Sequence, residues 1–217
     1  MKLTEFFLDL LYPPKCVFCG SLLDRREKKT VCPDCRHELV IRRKGFGLPT
    51  EGSCVSICFA PLQYENTVRD SLRRYKFEGK QFYASTYAEI ICKAFNNGEL
   101  DCDIITWVPL AKGRLWKRGY DQAKLLAEEL SRRTGIPCRQ TLVKRKNIRP
   151  QSSMKSAGDR IKNIRNVYRP ADNCSLQGKK VLLVDDIVTT GATLSEAASI
   201  LKKCGATEIR AAAAARA

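Results

Sequence analysis

Two adjacent carboxylates, Asp185 and Asp186, follow the apolar run Val181-Leu182-Leu183-Val184 and precede the hydroxyl-rich stretch Thr189-Thr190-Gly191-Ala192-Thr193. Carboxylate oxygens accept hydrogen bonds from the vicinal hydroxyls of a sugar. A turn of small residues bares backbone N–H groups, and at a helix N-terminus these can surround a phosphate. The pattern predicts a site for a phosphorylated sugar. Side-by-side acids on a buried strand repel each other and lose hydration, so they are costly without a ligand or metal. The alternative, that the acids merely end a strand and the threonines merely cap a helix, leaves that cost unexplained.

A second constellation lies near the N-terminus. Cys16, Cys19, Cys32 and Cys35 form a C-x2-C-x12-C-x2-C array. Each pair can hold one metal from a tight knuckle, and four thiolates complete a tetrahedral Zn²⁺ site. Four protein ligands close the coordination sphere, so the zinc is expected to be structural. His37, the only histidine, is expected to be a solvated surface residue. The other seven of the eleven cysteines are scattered among apolar segments and read as small core residues. An odd cysteine count without a secretion signal predicts a reducing, cytoplasmic setting.

The elements that must position these groups follow from apolar spacing. Four consecutive apolar residues before Asp185 predict a strand buried on both faces of a parallel sheet. Leu194, Ala197, Ala198 and Leu201 share one helical face, Thr193 with Glu196 fits a capping box, and Gly205 stops the helix. Upstream, a strand is expected over 55–60 and helices over Asn66–Phe77 and 82–96. A second buried strand over 103–110 and a helix over 121–133 follow. Strand–helix alternation predicts an α/β fold with a parallel sheet covered by helices. The glycines of residues 45–52 predict a linker, dividing the chain into a metal module (1–50) and a larger domain (51–217). Leu3, Phe6, Phe7, Leu10 and Leu11 predict a short amphipathic helix docked on the protein. No integral membrane segment or secretory signal is expected.

Two basic segments complete the pattern. Lys112, Arg114, Lys117 and Arg118 read as a loop between a strand end and a helix start, where ligands bind in open α/β sheets. Residues 144–169 carry nine Lys/Arg against one acid, Asp159, with Gln151, Arg160 and Asn163 among them. They read as a flap that closes over phosphates. In both cases the alternative is a solvated basic connector. A net charge of +16 in 217 residues implies an acidic partner: nucleic acid, a phosphorylated substrate or an anionic surface.

The acid pair and its turn closely resemble the phosphoribosyl-diphosphate (PRPP) signature of type I phosphoribosyltransferases. That resemblance implies Asp185 and Asp186 on the ribose hydroxyls, with Mg²⁺ nearby, and Thr189, Thr190, Gly191, Ala192 and Thr193 on the 5′-phosphate. Hypoxanthine-guanine members carry a further Asp three residues after the pair. Here that position is Thr189, so the chain does not resemble them in base recognition.

With the cysteine module in front, Arg118-Gly119-Tyr120-Asp121-Gln122-Ala123 in the middle and Gln151, Arg160 and Asn163 behind, nearly the whole chain resembles the ComF family. These are ComFC-type competence proteins with GntX-type relatives. The resemblance implies a zinc module on a type I phosphoribosyltransferase-like domain, single-stranded DNA as a partner during natural transformation, and a ComFA-like helicase beside it. Arg114, Lys117 and Arg118 would meet the diphosphate, with Arg160 closing from the flap. Tyr120 and Asp121 stand where relatives often have Phe and Asn, and Asp121 adds a negative charge near that loop. The other reading is an active phosphoribosyltransferase on an unidentified acceptor, without a DNA role.

Overall fold

The computed structural model describes residues 13–24, 30–95, 100–144 and 167–217. The expected N-terminal helix and most of the flap, with Gln151, Arg160 and Asn163, lie outside them. At its centre, β6 (Lys180–Val188) pairs in parallel with β3 (Ile104–Trp107) on one side and β7 (Glu208–Arg216) on the other. The short strands β1 (Ile57–Phe59) and β2 (Leu62–Gln63) both pair with β7, also in parallel. The order is β1-β7-β6-β3.

Alternate strand residues face opposite sides of such a sheet, and here both sides are buried. Leu182, Val184, Ile105 and Trp107 pack into one core, while Val181, Leu183, Ile104 and Val108 pack into the other. Helices α2 (Asn66–Phe77), α3 (Tyr83–Ala94) and α5 (Gln122–Thr134) fill the first side. Val68, Leu72 and Tyr75 form the inward stripe of α2, as their spacing predicts. Fully burying side chains of this size contributes about 1.5–3 kcal/mol each. On the second side lie α6 (Ala192–Lys203) and the antiparallel hairpin β4 (Leu142–Lys144)–β5 (Tyr168–Pro170).

The apolar pattern leaves one central element unassigned. Residues 211–215 are five consecutive alanines, strong helix formers by intrinsic propensity. They nevertheless form the middle of β7, almost wholly buried between β1 and β6. Pairing on both edges overrides propensity there, and the small side chains leave room for the helices on either face.

The metal module docks on α2. The Ser71 hydroxyl donates to the Val17 carbonyl at 2.6 Å, and Arg74 Nη2 donates to the carbonyls of Val17 and Phe18 at 3.0 and 2.5 Å. Both carbonyls lie between Cys16 and Cys19. Phe18 also meets the Tyr87 ring edge-on at 6.1 Å. Residues 45–52 are not a free tether: Phe46 bridges Cys58 antiparallel to β1. No helix among the described residues is long and apolar enough to cross a membrane.

Replacing Arg74 with Ala orphans the Phe18 carbonyl, while Ser71 still donates to that of Val17, and an unsatisfied buried group costs about 1–3 kcal/mol. Arg74→Ala should therefore lower stability in urea titration by roughly that amount. The exposed neighbour Arg73→Ala should leave the midpoint unchanged; equal loss in both would discount the docking contact.

Candidate functional site

The four cysteines gather although twelve residues separate the pairs. Cys16 and Cys19 sit on a turn, while Cys32 caps α1 (Pro33–Glu38), its sulfur accepting from the Cys35 N–H. Pro33 at the first helical position sets the entry. All four sulfurs lie within 4.8 Å of one another, and Cys19 and Cys32 are 3.6 Å apart. Bonds of about 2.3 Å in a tetrahedron place sulfurs about 3.8 Å apart, so the donor set fits zinc.

Electrostatics support that fit. Burial pushes the Cys19 thiol up, but hydrogen bonds with the Ser21 hydroxyl and backbone outweigh it and bring the group down to about 6. A thiolate is what a metal requires. Burial, then contact with Cys19 and Cys32, holds Cys35 high. The metal module is a structural zinc site. His37 is exposed and stands apart from the cluster, as expected. Of the remaining cysteines, Cys58 is buried in the core, whereas Cys54, Cys92, Cys102, Cys138, Cys174 and Cys204 are only half-buried.

The acid pair stands on β6 itself, because the strand continues through Asp185 and Asp186 to Val188 instead of ending before them. Asp185 is in register with Ala213, and its Oδ1 accepts from the Asp186 N–H at 2.8 Å. Asp186 Oδ1 meets Lys76 Nζ at 3.0 Å, at the end of α2. Burial, and then the charge of Asp186, push the Asp185 carboxyl up to about 8. The two acids are therefore not equivalent.

Beyond them the chain turns at Thr189 and Thr190 into Gly191, whose φ of +75° lets it precede α6. A Cβ there would also meet Leu48 at 3.1 Å. The Thr50 hydroxyl donates to the Thr190 carbonyl at 3.1 Å, so the expected linker lies against the turn. A small cleft open to solvent is lined by Asp185, Thr189, Gly191, Ala192 and Thr193, with Ile187, Val188 and Leu194. The expected capping box does not form. Glu196 accepts instead from the Val167 N–H at 2.6 Å, because β5 arrives beside the helix. Thr193 lies inside α6, the N-cap residue Gly191 has no side chain to cap the helix, and the Thr190 hydroxyl accepts from the Ala192 N–H at 3.4 Å.

The expected basic loop is a helix, α4 (Lys112–Arg118), closed by Gly119 at φ +79°. Arg114 and Lys117 are exposed on it. Arg118 is half-buried, donates to Gln122 Oε1 at 3.0 Å and stacks over Phe77 at 4.7 Å. Burial lowers its pKa, and Asp186 is the largest influence holding it up. Asp121 is not a free charge near these cations. It accepts from the N–H groups of Leu110 at 2.8 Å and Lys124 at 3.2 Å, capping α5. Arg160 lies outside the described residues.

One cation escaped the sequence reading, and another entered it only as the first of the nine in residues 144–169. Lys76 flanks the inward stripe of α2, one residue after buried Tyr75, and only the tertiary fold carries it to Asp186. Lys144, at the end of β4, donates to the Tyr168 hydroxyl at 3.4 Å. Burial and then Arg114 lower its pKa, while Asp185 opposes them. Cations thus approach the acids from α2, α4 and β4. The cleft can accept hydroxyls on its acids and an anion on its turn.

Two expectations follow. Purified protein should carry about one Zn²⁺ per chain, and a strong chelator should lower its melting temperature because metal binding is coupled to folding; a metal-free protein with an unchanged melt would refute the zinc assignment. For Asp185, the raised pKa means that the folded state holds a proton which the unfolded chain has given up above about pH 4. The associated stability is full below about pH 4 and is lost as pH rises through about 8. In magnesium-free buffer, wild type should therefore lose melting temperature relative to Asp185→Asn between about pH 5 and about pH 8.5. Parallel curves would overturn the shift.

The phosphoribosyl transferase domain family matches residues 117–217, and the double zinc ribbon domain family matches residues 7–60. Competence protein F of Haemophilus influenzae is 36% identical over 64% of this chain and 63% of its own length. The match to that relative therefore spans less than two thirds of it. The DNA utilization protein YhgH of Salmonella typhimurium is 32% identical over 90% of this chain and 87% of that protein. Competence protein ComFC of Bacillus subtilis is 31% identical over 88% and 72%. A four-cysteine zinc module joined to a phosphoribosyltransferase-type parallel sheet, with relatives of this kind along most of its length, makes this chain a member of the ComF family of competence and DNA-utilization proteins.

Proposed function

We propose that this protein binds PRPP, or a related sugar phosphate, together with Mg²⁺, and also binds single-stranded DNA, aiding its passage into the cytoplasm during natural transformation. Partnership with a ComFA-like helicase belongs to the same proposal. The observation that carries the sugar-phosphate half is the cleft, where Asp185 and the glycine-led start of α6 line one space, with Asp186 next to it on the strand. The relatives' names as competence and DNA utilization proteins support the DNA half, as does the charge of +16.

In this reading Asp185 and Asp186 hold the ribose hydroxyls. Thr189, Thr190, Gly191, Ala192 and Thr193 surround the 5′-phosphate, and Arg114, Lys117 and Arg118 meet the diphosphate, joined by Arg160. Bound Mg²⁺ would offset the charge gathered on diphosphate and carboxylates. Lys76 compensates Asp186 until a ligand arrives, so ribose binding exchanges an ion pair for hydroxyl hydrogen bonds. The acid pair thus stays tolerable in the empty cleft.

The alternative is active transfer, in which the bond from C1 to the diphosphate oxygen breaks, diphosphate leaves with the electron pair and an acceptor nucleophile bonds to C1. The cations around the acids favour it, since they can stabilise a departing anion. The acceptor is unidentified.

Calorimetric titration with PRPP and Mg²⁺, and separately with an oligothymidylate, tests the main reading. Asp185→Asn/Asp186→Asn should weaken PRPP by about a hundredfold or more, because two charge-assisted contacts are lost, while oligothymidylate affinity stays unchanged. Wild type that takes up no PRPP would sink the first half. Wild type that takes up no oligothymidylate would sink the second.

A further inference from the structure

The sugar-phosphate reading uses three cations of α4 but gives no role to the indole beside them. The helix is seven residues long and buries none of them, which packing does not account for. Its sequence, Lys-Gly-Arg-Leu-Trp-Lys-Arg, has four cations and no carboxylate. Trp116 is 92% exposed on it, the most exposed large apolar side chain among the described residues. An indole held in water among cations is an unusual use of the largest side chain.

Helical geometry orders these groups. At about 100° per residue, the arc from Trp116 to Arg118 passes Lys117 and then Arg114. Arg118 ends the arc over the ring of Phe77, itself 63% exposed at the end of α2. The contact is fixed from beneath: Tyr120 donates its hydroxyl to the Tyr75 carbonyl, and Gln122 Nε2 donates to the Lys76 carbonyl at 3.4 Å. Two exposed rings therefore bracket an arc of three cations about one helix diameter wide, roughly 10 Å.

We propose that this surface is where a single strand of nucleic acid lies, with bases stacked on Trp116 and Phe77 and the intervening phosphates on Lys117, Arg114 and Arg118, cations that the strand would share with the diphosphate assigned above. The proposal rests on the reading above that the protein binds single-stranded DNA, and it adds where and by what chemistry. Rings with cations between them suit unpaired bases, whose faces are open, whereas a duplex hides those faces. Stacking accepts any base, so the surface would read no sequence. Phe77 adjoins Lys76, the partner of Asp186, so the strand would pass the rim of the acid cleft.

The test is fluorescence titration of the full-length zinc-loaded protein with an oligothymidylate of about 20 nucleotides. Because Trp107 is buried and Trp116 exposed, base stacking should quench the indole emission of wild type, and Trp116→Phe should lose most of that quenching. Trp116→Ala/Phe77→Ala should weaken binding about tenfold or more with an unchanged salt slope, since the phosphate contacts remain. Both side chains are exposed, so the variant should melt like wild type. If wild type binds the oligonucleotide while the variant binds equally well and emission never changes, this surface is wrong although the DNA reading stands. If wild type does not bind at all, the DNA reading has failed first. A polyglutamate of equal charge that binds wild type as tightly would also overturn the stacking argument.

Discussion

Two carboxylates side by side on the central strand are the constraint around which this molecule is arranged. Burial, and then the charge of Asp186, raise Asp185 to about 8, and the ion pair between Lys76 and Asp186 provides compensation within the chain. That pair fixes where the end of α2 must lie. The same helix, two residues earlier, grips the backbone of the first cysteine knuckle through Arg74. One helix thus touches both the zinc module and the acid pair.

The turn after the acids is constrained from another direction. Gly191 needs its positive φ and has Leu48 and Thr50 close against it. These two belong to the stretch between the metal module and the sheet, so that stretch supports the turn as well as joining modules. The cleft is lined by the β6–α6 segment alone, and that segment is braced by the end of α2 at Asp186 and by residues preceding β1 at the turn. Its acid and anion ends are held by different neighbours.

The surface of α4 is organised differently. Its cations lack carboxylate partners on their own helix, and its tryptophan is open to water. Arg118 alone is committed, between Phe77 and Gln122. Such a helix contributes little to the fold, so its composition reflects what it meets in solution.

Much of this was legible in local pattern. Four apolar residues before two acids, a spaced stripe on α2 and two cysteine knuckles each report chemistry confined to a few neighbouring residues, which spacing captures. Other features were decided only by assembly. The alanines of β7 became a strand because β1 and β6 hydrogen-bond both edges; Glu196 left its capping role because the Val167 N–H arrives from outside the helix; Lys76 reached Asp186 across 110 residues. Residue type and spacing determined which groups could hold a metal or a sugar phosphate. Tertiary packing decided which charges compensate them, since an ion pair depends on distance in space and a sequence records only distance along the chain.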